Sequence, residues 1–260
     1  MKKIKWSAFW LNLVVFLILV FLMMPIFVLV VASFSQEGYL VFPPKGFSLQ
    51  WYRKFFASAA FISAFKNSVK LSICTTALAM IIGSITAYAI DRSPRRDVLL
   101  SLYVSPLMMP SLVIGLALLQ YFKLLGVKLS FWTLLIGQLV ITIPYVVRSC
   151  VASLYRFNVS LEEAAQTLGA NRLVTFGVII VPLLKPSLIA SGCFTFISSF
   201  GNTAISIFLS TARMTTLPVR LYTYANYTPD PIIAAISSCT LVMTLVLMFI
   251  IEKTSGINNL

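Results

Sequence analysis

The sequence predicts an all-α membrane protein of six transmembrane helices, a single domain over residues 1–260, and three observations predict it. Hydrophobic residues make up 59% of the chain and charged residues 10%, and histidine is absent, a composition outside the range of water-soluble domains. Six charge-free stretches recur, at 7–36, 71–90, 98–122, 129–147, 186–212 and 231–251. Each is long enough for the ~20 residues that cross a ~30 Å hydrocarbon layer. That length excludes a transmembrane barrel, whose strands use only about ten alternating residues.

The first stretch follows Lys2, Lys3 and Lys5 and runs through Met23, Met24 and Pro25 to Val31. A signal-peptide core spans only about 7–15 apolar residues, so this one reads as an uncleaved helix. The loop 37–66 carries Pro43, Pro44 and Gly46 among Phe42, Phe47, Trp51 and Tyr52, an extended turn suited to the membrane surface. The second span opens at Asn67-Ser68 and carries Gly83 and Ala87-Tyr88-Ala89 near its end. A turn from Asp91 to Asp97 with Arg92, Arg95 and Arg96 leads to a third span that Pro106 and Pro110 break. Pro144 to Arg148 close the fourth span, the fifth starts at Pro186, and Thr216-Leu217-Pro218 lie in the last outer loop.

An even number of spans puts both termini on one side, and the N-terminal lysines make that side the cytoplasm. With this choice 11 Lys and Arg lie inside and 9 outside, and two of the nine, Lys66 and Lys70, can snorkel. The net charge of +13 is dispersed between spans, with no basic run interleaved with aromatics, so lipid headgroups and topology explain it and nucleic acid does not. Cys74, Cys150, Cys193 and Cys239 have no metal-ligand spacing and lie in or beside spans, which predicts neither disulfides nor a metal site.

Polar residues narrow the function. No Asp, Glu, Lys or Arg lies deep within a predicted span, which argues against a secondary carrier or channel with a charged coupling site. Acid–base catalysis in the membrane lacks histidine and paired carboxylates, so the chain reads as no enzyme. The sequence has no G-x-x-x-x-G-K-[ST], so ATP-driven work requires a separate ATPase. Uncharged candidates for a solute path are Gln138 and Tyr145 on the fourth span and Ser198, Ser199, Asn202 and Thr203 on the fifth.

The most informative segment lies between spans four and five. Ser160 and Glu163 have capping-box spacing, and Leu161, Ala164, Ala165 and Leu168 form one apolar stripe. Gly169 supplies a left-handed stop. Asn171 caps a second short helix, with stripe Leu173, Phe176, Gly177 and Ile180, that Pro182 closes. Two short helices thus meet at a glycine, with small residues that permit close approach.

Glu163-Ala164-Ala165, Gly169 and Pro182 together resemble the EAA loop of permeases in ATP-binding cassette importers. The resemblance implies that the cytoplasmic loop is a coupling helix seated in a groove of the ATPase, with Ser160, Glu163, Ala164, Ala165, Gly169, Asn171 and Pro182 forming it. The outer loop around Phe42–Tyr52 and most later motifs are similar to spermidine/putrescine permeases over nearly the full length. That family implies a bacterial inner-membrane assembly: a second permease subunit, an ATPase dimer holding ATP and Mg, and a periplasmic or lipid-anchored solute-binding protein. This chain itself would hold no cofactor. A polyamine is the leading solute, with opines, aminoalkylphosphonates and ferric ion carried by close relatives. The sequence departs from many such permeases, which carry Asp where Gly201 or Asn202 stands and His where Gln138 stands.

Overall fold

The computed structural model describes residues 6–255. Helices account for all regular structure among them, beside two isolated bridges, Ser35 with Phe47 and Thr211 with Met214. In order these are α1 (Trp6–Ala32), α2 (Gln50–Ala57), α3 (Ala59–Asp91), α4 (Arg96–Val104), α5 (Ser111–Leu124), α6 (Phe131–Leu154), α7 (Ser160–Thr167), α8 (Arg172–Thr175), α9 (Val181–Gly201), α10 (Ser206–Leu209), α11 (Leu217–Tyr227) and α12 (Ile232–Ser255). Lys2, Lys3 and Lys5 lie outside the described residues.

Among the described residues, five helical segments are long and apolar enough to cross a membrane, and a sixth arises if the bent pair α4–α5 is one span. The bend of 95° at that pair has a local cause. A single 3₁₀ turn follows α4 with Pro106 near its start, and Met109 is then forced into an extended conformation before Pro110. What the sequence suggested as one kinked span over 98–122 is two short helices at nearly a right angle.

Other boundaries move for equally physical reasons. α6 does not end at Pro144 or Arg148 but continues to Leu154, because Pro144 is buried in a packed stretch where neighbours support the helix. Its start is a capping box of Ser130 and Thr133, with the Ser130 N–H donating to Thr133 Oγ1 at 2.8 Å. α3 begins at Ala59, well before residue 71, and its 33 residues rise about 50 Å, so Lys66 and Lys70 lie on the excess beyond a ~30 Å core. α8, a π turn at Phe176–Ile180 and α9 run together as one 30-residue segment, so Pro182 does not close a helix. It occupies the first turn after the π turn, where its missing N–H costs least.

The chain divides into two compact units. One comprises the chain up to Ile62 with Thr223–Met243. In it the Trp51 indole donates to the Ser35 carbonyl at 2.8 Å, and Lys54 and the Tyr224 hydroxyl both reach Asp230 Oδ2 at 2.9 Å. Asp230 also receives the Ile232 N–H, which fixes the start of α12. The other unit, Ser63–Tyr222 with the chain from Thr244 on, holds the larger core. There Ala79, Ala87, Val146, Val147, Cys150 and Leu184 pack together fully buried, which brings α3, α6 and α9 against one another.

Close approach of α3 and α6 depends on Gly83, where a Cβ would meet the Val146 side chain at 2.7 Å. Overpacking of this kind costs about 1–3 kcal/mol. Gly83→Leu is therefore expected to lower the detergent-solubilised unfolding temperature by several degrees, read by a thiol-reactive dye, while Gly177→Ala, with nothing within 4 Å of the new atom, leaves it unchanged.

Candidate functional site

The segment from Asn158 to Ile180 is built by short-range rules. α7 is started by Asn158, whose Oδ1 receives the Ser160 N–H at 3.1 Å, while the Val159 carbonyl takes the N–H groups of Glu162 and Glu163. The expected capping box of Ser160 and Glu163 does not form. Ser160 already stands at the first helical position, one residue inside the cap, and so does not hold the cap position from which a side chain reaches the N–H three residues on. Gly169 stops α7 as expected, at φ +90°. The Gly169 N–H returns to the Gln166 carbonyl and the Ala170 N–H to the Ala165 carbonyl, both at 3.0 Å, the pair of bonds that defines a Schellman closure. Asn171 caps α8 by accepting the Val174 N–H at 2.9 Å.

The two faces of α7 differ. Leu161, Ala164 and Leu168 are exposed, Leu168 to 90%, and across the corner Leu173 is exposed to 83%. Glu163 is also exposed, and Ala165 is half-buried. The inward residue is Glu162, which the sequence stripe did not single out. Arg92 grips it with Nε and Nη2 on Oε2 at 2.9 and 2.5 Å, and the Tyr88 hydroxyl donates to Oε1. Arg92 in turn pairs with Asp91 at 2.7 Å, Asp91 faces Arg96 at 3.4 Å, and Arg96 lies over the Tyr155 ring. The Tyr88 ring packs on Phe176 in the π turn, centroids 5.4 Å apart.

Burial alone would raise the Glu162 carboxyl, but the hydrogen bonds from Tyr88 and Arg92 and the charges of Arg92 and Arg172 outweigh it and hold the group below its ordinary value. For Arg92 burial opposes the charge, and the Glu162 carboxylate more than restores it. No sequence signal short of the Glu162-Glu163 doublet and the Arg92 that ends an apolar run points to this pair, because the partners are 70 residues apart.

The candidate solute-path residues are placed less uniformly. Gln138 is fully buried, its Nε2 donating to Ser206 Oγ at 3.0 Å while its Oε1 has no partner. Ser199 is buried with an unpartnered hydroxyl, Ser198 is half-buried, and Tyr145 packs edge-on against Phe194 at 4.5 Å. Asn202 is not in the middle of a span. α9 ends at Gly201, and Asn202, extended at ψ 108°, accepts the Ile205 N–H at 2.9 Å ahead of α10. An Asn side chain competes for backbone donors and so favours such a cap. Thr203 is half-buried beside it and its carbonyl receives the Ile207 N–H. Among these six residues the Asn202 N–H returns to the Ser199 carbonyl at 3.4 Å, whereas the Gln138 side chain meets Ser206 instead.

The family model for the binding-protein-dependent transport system inner membrane component matches residues 79–253. The chain is 30% identical, over 95% of its length and 97% of the relative's, to the spermidine/putrescine transport system permease protein PotC of Haemophilus influenzae. It is 29% identical to the putrescine transport system permease protein PotI of Escherichia coli, over 89% of this chain and 85% of that one. A bacterial importer of the acidic polysaccharide alginate shares the fold at a TM-score of 0.78, with 16% identity over 97% of this chain and 96% of that chain. A methionine transporter in an inward-facing conformation aligns at 0.59, with 13% identity over 75% of this chain and 92% of that one.

The depressed carboxyl at Glu162 gives a pH signature. Its contribution to stability is complete above the ordinary Glu value of about 4.3 and is lost as pH falls through the lower folded value. Glu162→Gln should lower the unfolding temperature at pH 7, with the difference from wild type closing below about pH 4; a difference that stays constant down to pH 3 contradicts the charge-based hold. The chain belongs to the binding-protein-dependent transport system inner membrane component family, and it is a multi-pass inner-membrane permease subunit of an ATP-binding cassette importer rather than an enzyme.

Proposed function

We propose that this permease acts as a single transmembrane domain forming one half of the path of a polyamine importer, with a separate ATPase docked on α7, Gly169 and α8. The observation that carries the docking is the exposed apolar surface of Leu161, Leu168 and Leu173 across the α7–α8 corner, with the opposite face of α7 clamped by charge. An apolar face of this kind in a polar loop is what a partner's groove covers. Glu163, Ala164, Gly169 and Asn171 stand exposed along the same corner, with Ser160 and Pro182 at its limits. The polyamine reading rests on 30% identity to a spermidine/putrescine permease across nearly both full lengths.

In this reading both termini and the α7–α8 corner face the cytoplasm, while Lys45, Lys128 and Arg213 face the periplasm. A second permease completes the path, ATP and Mg reside on the ATPase dimer, and a solute-binding protein delivers cargo from outside. This chain holds no cofactor. Gln138, Tyr145, Ser198, Ser199, Asn202 and Thr203 supply polar surface to the path, and the unpartnered Gln138 Oε1 and Ser199 hydroxyl support such a role, because a buried unsatisfied group seeks water, solute or a partner subunit. No carboxylate neutralises a polycation here, which assigns charge recognition to the binding protein or the second permease.

The reconstituted complex should hydrolyse ATP several-fold faster when its binding protein carries spermidine or putrescine, and Leu173→Glu should cut ATPase co-purification at least tenfold while the subunit still inserts. Stimulation by an opine or an aminoalkylphosphonate instead of a polyamine reassigns the solute, and undiminished co-purification of Leu173→Glu contradicts the docking site.

A further inference from the structure

We propose that Glu162 is a positioning residue that makes α7 and α3 move as one, so that displacement of the α7–α8 corner is passed directly to α3. This inference rests on the docking reading above. α7 is joined to its neighbours in sequence by the turns at Asn158 and Gly169, and Leu161, Ala164 and Leu168 on its outward side stand exposed. Glu162 is the side chain that ties it inward. The carboxylate takes both of its oxygens to α3: Oε2 to two nitrogens of Arg92, just past the end of that helix, and Oε1 to Tyr88 within its last turn. The side chain of Glu162 is only 9% exposed and that of Arg92 30%, so water screens the pair less than a surface pair.

Geometry makes the link stiff. Two nitrogens of Arg92 converge on the single oxygen Oε2 in charge-assisted hydrogen bonds, which fixes where that oxygen sits. Tyr88 adds a second direction, since the same ring that donates to Glu162 packs on Phe176 in the π turn leading into α9. Two elements, α7 and the π turn, therefore converge on one side chain of α3. Asp91 holds the far side of the Arg92 guanidinium, so the clasp cannot swing toward solvent without breaking a second ion pair. α3 continues from there without a proline through the whole larger core, past Ala87, Gly83, Ala79 and Leu71. A push on α7 would reach α3 through this clasp before it passed along the chain through α8 and α9.

Cys74 reports the outcome. It sits half-buried on α3 beside the Leu71–Ile114–Leu134 cluster, about 21 Å along the helix from Tyr88. In the full complex with Cys150, Cys193 and Cys239 replaced by Ala, binding of a non-hydrolysable ATP analogue should change the rate of Cys74 modification by N-ethylmaleimide several-fold. Glu162→Gln and Arg92→Gln should each abolish that change while the ATPase still co-purifies, and Arg92→Glu combined with Glu162→Arg should restore at least half of it. An unchanged nucleotide response in either single variant, no response in the wild type, or no recovery in the exchanged pair overturns the clasp while leaving ATPase docking in place. Loss of the ATPase from the Glu162→Gln complex also overturns it, by making the residue a requirement of the docking surface. Absence of an ATPase from the unmodified complex fails the docking reading itself, and the clasp with it.

Discussion

Hydrocarbon cannot hydrogen-bond a backbone, and it tolerates no unpaired charge. This constraint shapes the molecule twice. It makes the membrane segments helical and nearly free of charge, and it concentrates the ionic groups at the segment ends, where they must find one another. The end of α3 shows the second effect. Asp91, Arg92, Arg96 and Glu162 lie within one ion-paired group at the point where three helical elements meet. Were Glu162 replaced by an apolar residue, Arg92 would keep Asp91 but lose its inward partner, and α7 would lose its ties to Arg92 and Tyr88.

The same constraint explains which irregularities survive inside the membrane segments. Pro106 and Pro110 remove two donors in a short stretch, and the chain answers with a right-angle break rather than a strained helix. Pro182 and Pro186 are absorbed because a π turn precedes them and α9 packs against α6. Pro144 sits inside a buried stretch of α6 for the same reason.

Local chemistry was legible in the sequence wherever the deciding contacts lie within a few residues. Gly169 and Asn171 were placed correctly because a left-handed residue and an Asn cap act over one turn. The cap of α7 was placed one residue late, at Ser160 and not Val159, because Asn158 Oδ1 takes the Ser160 N–H and the helix is already under way at Ser160. Asn202 was misjudged because charge-free length alone put it inside a span, and length does not register where a helix stops. Glu162 was beyond reach: adjacent to Glu163 in sequence and one hundred degrees around the helix from it, it is distinguished only by Arg92 and Tyr88, 70 and 74 residues away. Family membership was legible because its signature is carried by the corner itself, whose small residues and glycine are local.

Whether an ATPase covers the outward face of the α7–α8 corner decides the proposed docking. The direct measurement is cross-linking of Leu168→Cys to the ATPase within the membrane-embedded complex by a short bifunctional thiol reagent. A product containing both chains, formed at Leu168→Cys and absent at Lys45→Cys, is the predicted result. Failure to cross-link, together with ready modification of Leu168→Cys by an impermeant reagent added outside intact cells, would place the corner on the wrong side of the membrane.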